Sequence, residues 1–308
     1  MAVRRFLAAV LLAVACQPVV AGALRERIAE RLQQRHADDG LDGGDVASHG
    51  LPLPAGARVL RDLAYGSDPA QRMDVYIPAE ARSAPVIFMV HGGGWRTGDK
   101  THSRVVDNKV AHWLPMGVIF VSINYRMLPA AEVPTQLDDV AAALSKAQSL
   151  APSWGGDAGR FVLMGHSAGA HLIALLAATP RDDSRHRPWL GSVLLDSAAL
   201  DVERIMAVRH FRLYDQAFGR DAGFWRRNSP IARLAGPTAP WLAVCSSRRD
   251  DSCDQAQAFT ARATALGAHA EVLPEDLSHG DINETLGSAG AYTDRVDAFL
   301  RSVGALTR

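Results

Sequence analysis

Short apolar runs alternate with helical patterns along most of this chain. Residues 84–91 (APVIFMVH) and 117–123 (GVIFVSI) are nearly continuous apolar stretches, the composition of strands covered on both faces. Residues 161–164 form another such run, and an apolar helical pattern follows from Ala170. Residues 58–63 and 72–77 predict two strands joined by a turn at Gly66-Ser67-Asp68-Pro69. Asp74, inside the second of these, is expected to bond local backbone or a neighbouring loop. Val133, Leu137, Val140 and Leu144 recur on one face and predict a helix over 134–150. Residues 190–196, 240–246 and 268–273 are the later strands, with a helix before the last. This alternation implies an α/β fold with a mostly parallel central sheet and helices on both faces.

The N-terminal part has a different pattern. Arg4 and Arg5 precede an apolar run over 6–15, and Ala21-Gly22-Ala23 supplies small residues of the A-x-A kind. Residues 1–23 therefore read as a signal peptide cleaved after Ala23, with lipoprotein processing at Cys16 as the second option. Residues 24–56 begin as an amphipathic helix and continue into a Gly/Asp/Pro-rich linker. The catalytic domain is expected over 57–303.

Composition narrows the function. Lys+Arg and Asp+Glu both number 33, so the zero net charge gives no electrostatic footprint for nucleic acid or an anionic membrane surface. No internal apolar run reaches the length of a membrane span. With residues 1–23 removed, the cysteines left are Cys245 and Cys253, which can close a disulfide in an oxidising compartment. Two cysteines so spaced, without clustered histidines, do not suggest a metal site.

The chemistry centres on Gly165-His166-Ser167-Ala168-Gly169, a G-x-S-x-G sequence between a predicted strand and a predicted helix. That context makes Ser167 a candidate nucleophile on a tight turn. Gly92, Gly93 and Gly94 follow the strand that ends at His91, and backbone amides there can face a small anion. Gly93, Gly94 and Ala168 are the candidate oxyanion donors, each of a kind worth roughly 3–4 kcal/mol to a transition state. His91 is expected to orient this loop, and Trp95 to pack beneath it. A base must remove the serine proton, and His279, in PEDLSHGD after the last strand, is placed for it. His102, His166, His171 and His269 are expected to be structural. Asp251 is preferred as the acid that orients His279, ahead of Asp250, with Asp196 third. Phe211, Tyr214, Phe218, Phe224 and Trp225 form either a small lid or acyl-pocket wall, or ordinary helix core.

Together these pieces resemble the α/β-hydrolase superfamily, and within it the hormone-sensitive-lipase-like and BD-FAE-type esterases. The matching segments are MDVYIP at 73–78, HGGGW at 91–95, NYRMLPAAEVPTQLDDV at 124–140, GGDAGRFVLMGHSAGAHL at 155–172 and SHG at 278–280. The resemblance implies an α/β-hydrolase fold with a small lid region. It further implies a Ser-His-Asp hydrolase of small-molecule esters, without metal or organic cofactor. The acid loop departs from the family's Gly-x-x-Asp pattern and reads CSSRRDDSC. A hydrolase of small amides or arylformamides, and a non-catalytic binding protein on the same fold, are the alternatives.

Overall fold

The apolar runs become the strands of one eight-stranded sheet, whose order is β1-β2-β4-β3-β5-β6-β7-β8. In this computed structural model the described residues are 53–179 and 186–307. The strands are β1 (Arg58–Ala64), β2 (Arg72–Ile77), β3 (Ala84–Val90), β4 (Ile119–Ile123), β5 (Gly156–His166), β6 (Gly191–Leu195), β7 (Trp241–Ser246) and β8 (Ala270–Glu275). The β1–β2 and β2–β4 pairs are antiparallel, and the other pairs are parallel. The signal-peptide and Cys16 expectations lie outside the described residues, as does nearly all of the 24–56 segment.

The continuous apolar runs have a direct cause. Val86, Phe88 and Val90 of β3 enter one core, while Ile87 and Met89 enter the other. Successive side chains point to opposite faces, so a strand covered on both sides is apolar at every position. Helices α1 (Ser103–Trp113), α2 (Val133–Leu150) and α3 (Ala168–Ala178) supply the covering layers. Val106, Val110 and Trp113 of α1 join one core, and Val140, Leu144 and Leu172 of α2 and α3 join the other. Asp74 sits fully buried among these strands and is neutralised by Lys100 at 2.7 Å and Arg61 at 3.0 Å.

Between β6 and β7 the chain runs through four short helices, α4 (Val202–Met206), α5 (Arg212–Phe218), α6 (Ala222–Arg227) and α7 (Pro230–Arg233). Tyr214 and Phe218 are buried, while Phe211, Phe224 and Trp225 pack partly buried against the same core. This aromatic group is thus helix core, laid over Trp95, whose ring centroid lies 5.0 Å from that of Phe218. Three more helices complete the fold: α8 (Ser252–Ala265), α9 (His279–Glu284) and α10 (Ala291–Ser302).

Candidate active site

Ser167 stands between the end of β5 and the start of α3, with φ +53° and ψ −116°. A non-glycine residue in that region is strained, and its neighbours must give way to allow it. A Cβ on Gly165 would lie 2.5 Å from the carbonyl carbon of Gly169, and one on Gly169 would lie 2.2 Å from the Val90 oxygen. Those two contacts explain the glycines on either side of the serine. The Ser167 amide donates to the Leu195 carbonyl at 2.9 Å, tying the turn to the end of β6.

The glycine-rich loop is laid directly on this turn. A Cβ on Gly92 would come within 3.0 Å of the Ser167 Cβ. Gly93 and Gly94 have φ of +110° and +57°, and the Gly93 carbonyl accepts from the amides of Arg96 and Thr97. Among the described residues, no hydrogen bond takes the amides of Gly93, Gly94 or Ala168.

Histidines hold the loop in place. His91 stacks on Tyr125 at 4.7 Å and donates through Nδ1 to the Gly92 carbonyl at 2.7 Å. Trp95 Nε1 donates to His171 Nδ1 at 3.2 Å, and His171 Nε2 donates to the Asn228 carbonyl at 2.8 Å. Burial lowers the His171 imidazole to about 4, which keeps it neutral and its Nδ1 an acceptor near pH 7. Helix α3 is thereby tied to both the glycine loop and the segment before β7.

His279 begins α9 rather than lying in an open loop. Ser278 caps that helix, accepting from the Asp281 amide, and the Asp281 carboxylate returns a bond to the Ser278 amide. His279 Nδ1 donates to Asp196 Oδ2 at 2.6 Å, a short charge-assisted bond. Arg249 Nη1 donates to the same oxygen at 2.8 Å. Oδ1 accepts from the Ser246 amide at 2.7 Å and from the Ser252 hydroxyl. Burial alone would raise the Asp196 carboxyl, but the His279 bond and the Arg249 charge hold it far below the carboxylate range.

The expected partnership of Asp251 with His279 is not what the structure shows. Asp251 sits at the start of α8, its side chain 46% exposed and 3.6 Å from Arg249 Nη2, whereas the Asp196 side chain is fully buried. The chain leaving β7 turns straight into α8, so Ser252 points inward and Asp251 outward. Asp250 is exposed. Asp196 instead directly follows β6, the strand beside β5, with φ +52°.

His166, expected from the sequence to be structural, touches the site. Its ring lies 4.6 Å from that of His279, and its Nε2 donates to the His279 carbonyl at 3.0 Å. Burial, then the adjacent His279, lowers its imidazole well below the usual value, consistent with a neutral ring. Cys245 and Cys253 form the expected disulfide, with Cα atoms 5.1 Å apart.

A family model described as BD-FAE matches residues 73–208, a span that contains the glycine loop, Ser167 and Asp196. The esterase B structure from Lactobacillus rhamnosis superposes with a TM-score of 0.70 at 20% identity, covering 92% of this chain and 95% of that one. The chain has the α/β-hydrolase fold. Esterase 2 of Thermogutta terrifontis is a second neighbour of similar fold, with a TM-score of 0.67, 22% identity, and coverage of 83% and 98%.

Among curated relatives, an isoprenylcysteine alpha-carbonyl methylesterase of Arabidopsis thaliana is 27% identical over 247 residues, 73% of this chain and 57% of that protein. Esterase LipC of Mycobacterium tuberculosis is 28% identical over 233 residues, 67% of this chain and 55% of its own. This chain therefore spans little more than half the length of either relative.

Proposed function

We propose that this chain is an exported serine carboxylic ester hydrolase acting on small esters through an acyl-serine intermediate. The observation that carries the reading is the hydrogen bond from His279 to the buried Asp196, at the same ends of the strands as Ser167. With Nδ1–H donated to Asp196, the lone pair on His279 Nε2 is free to act as base. His279 takes the Ser167 proton as Oγ attacks the ester carbonyl carbon. Negative charge then develops on the former carbonyl oxygen, where the amides of Gly93, Gly94 and Ala168 are the proposed donors. The imidazolium returns its proton to the departing alcohol, and water, activated by the same base, releases the acid and restores Ser167. Asp196 replaces Asp251 as the acid in this scheme. Esterase names among the relatives support the reaction class. The disulfide and the N-terminal pattern support export.

Hydrolysis of a p-nitrophenyl ester series by the wild type and Ser167→Ala tests the scheme. We expect turnover by the wild type, background rate in the variant, and fluorophosphonate labelling lost with the hydroxyl. A folded wild type that neither hydrolyses any ester nor takes the label would reject it.

A further inference from the structure

His166 links two side chains that come from distant parts of the sequence. One peptide bond joins it to Ser167, and its ring reaches His279 at the start of α9. Two contacts make that link. Nε2–H is donated to the His279 main-chain carbonyl at 3.0 Å, and the two rings lie 4.6 Å apart with their planes 36° from parallel. The glycine loop packs on the same side chain, since a Cβ on Gly92 would stand 3.0 Å from His166 Nδ1. Burial keeps this imidazole neutral, so its one ring proton can stay on the nitrogen that faces the carbonyl.

The other holds on His279 come from further away. Asp196, in a cradle made by Ser246, Arg249 and Ser252, accepts from Nδ1 and aims the ring along one direction. A single bond at Nδ1 leaves the ring free to rock about that bond. At the far end of α9, Lys109 and Asn108 of α1 donate to the Asn283 and Glu284 carbonyls. The Ser278–Asp281 cap shapes the first turn of the helix. These ties fix α9 to α1 and the ring to the residue after β6, and none of them includes the serine turn. The His166 bond does, because it joins the backbone of His279 to the residue before Ser167. Filling the space would need no nitrogen, and burying an imidazole carries a desolvation cost that an apolar ring avoids.

We propose that His166 is a positioning residue that sets the distance and ring plane of His279 against Ser167. This rests on the reading of Ser167 as nucleophile and His279 as base. His166 takes no proton in the reaction. Its effect falls on proton transfer from Ser167 Oγ and not on substrate binding.

Steady-state kinetics on a p-nitrophenyl ester, together with the rate of fluorophosphonate labelling, tests it in wild type, His166→Gln, His166→Asn, His166→Phe and His279→Gln. Glutamine carries its amide nitrogen as many bonds from Cα as Nε2 and keeps the donor. Asparagine stops a bond short, at the position of Nδ1, and loses it. H166N should lose about 10–100-fold in kcat and in labelling rate with KM unchanged, the scale of a displacement of about 1 Å between reacting groups. H166Q should recover most of that loss. H166F keeps a ring against His279 without a donor and should fall between the two. If H166N does not fold, H166Q outpacing H166F carries the same distinction. Wild-type rates in H166N and H166F would make the link idle. Equal losses in all three His166 variants, with lowered Tm, would make His166 ordinary core. A raised KM at unchanged kcat would make it a substrate contact, and each of these three results overturns the inference. H279Q retaining wild-type turnover and labelling would instead refute the base assignment itself, whatever the His166 variants do.

Discussion

A carboxylate with no exposed surface must find donors for its lone pairs, and Asp196 has four: Ser246, Arg249, Ser252 and His279. Asp251 has one long ion pair and a side chain half in water. Residues in these two situations respond differently to loss of charge. We expect Asp196→Asn to lower kcat by about 10³–10⁴-fold with little change in KM, because the amide no longer fixes the histidine tautomer. Asp251→Asn should stay within about threefold of wild type, since an exposed pair is worth little. Steady-state kinetics at pH 8 on variants with matching circular dichroism separates the two. The reverse order of losses would return the acid to Asp251. Asp196 is also the residue that the sequence hid best. Its one local signal is its place directly after an apolar strand, and two aspartates after the next strand compete for the same role.

At the scale of the element, the segment from Cys245 to Cys253 that links β7 to α8 is short, closed by a disulfide, and carries three of the donors to Asp196. Cys245 is fully buried in β7, one residue before its end, and Cys253 lies in the first turn of α8. Cross-linking residues 8 apart restricts the unfolded chain by roughly 2–3 kcal/mol. Replacing both cysteines by alanine should therefore lower urea stability by about that amount, and lower kcat as well because the cradle loosens. Stability lost with kcat intact would mean that the strand and helix hold the loop unaided. The cysteine pair was visible in the sequence. That it frames the cradle of an acid on another strand was not, because that relation exists once β6 and β7 pair. Helix α9 gives a similar lesson. S-x-x-D at Ser278 and Asp281 is a capping pattern, and it sets His279 in the first turn of a helix directly after the last strand.

For the whole molecule, the buried ionisable groups set how stability varies with pH. His171, and more strongly His166, have imidazoles lowered by burial, so the unfolded chain binds more protons than the fold as pH falls below 6.5. Stability should then decline from pH 6.5 towards about 4 for His171, and further for His166. Burial likewise lowers the Lys109 ammonium to about 7 from 10.5. Over that interval the unfolded chain again holds the extra proton, so stability should rise with pH from about 7 to 10.5. Calorimetric Tm values from pH 4.5 to 9.5 check both limbs, and Lys109→Met should flatten the alkaline one. An alkaline rise that survives in K109M would assign it to another group.

Read alone, the sequence determined the strands, the mostly parallel sheet, the serine turn, the glycine loop and His279. Each of these is written locally, in apolar runs covered on both faces or in glycines that contacts of 2–3 Å with neighbouring backbone require. Helices α1 and α10 are poorly marked in the sequence, since their apolar positions are interrupted by polar ones. The tertiary structure alone decided which aspartate meets the histidine, that His166 touches His279, and that Arg249 joins the pair. Those relations depend on strand order. Residues 83 apart become hydrogen-bonded partners because β6 lies next to β5 and β7, and no pattern along the chain records that adjacency.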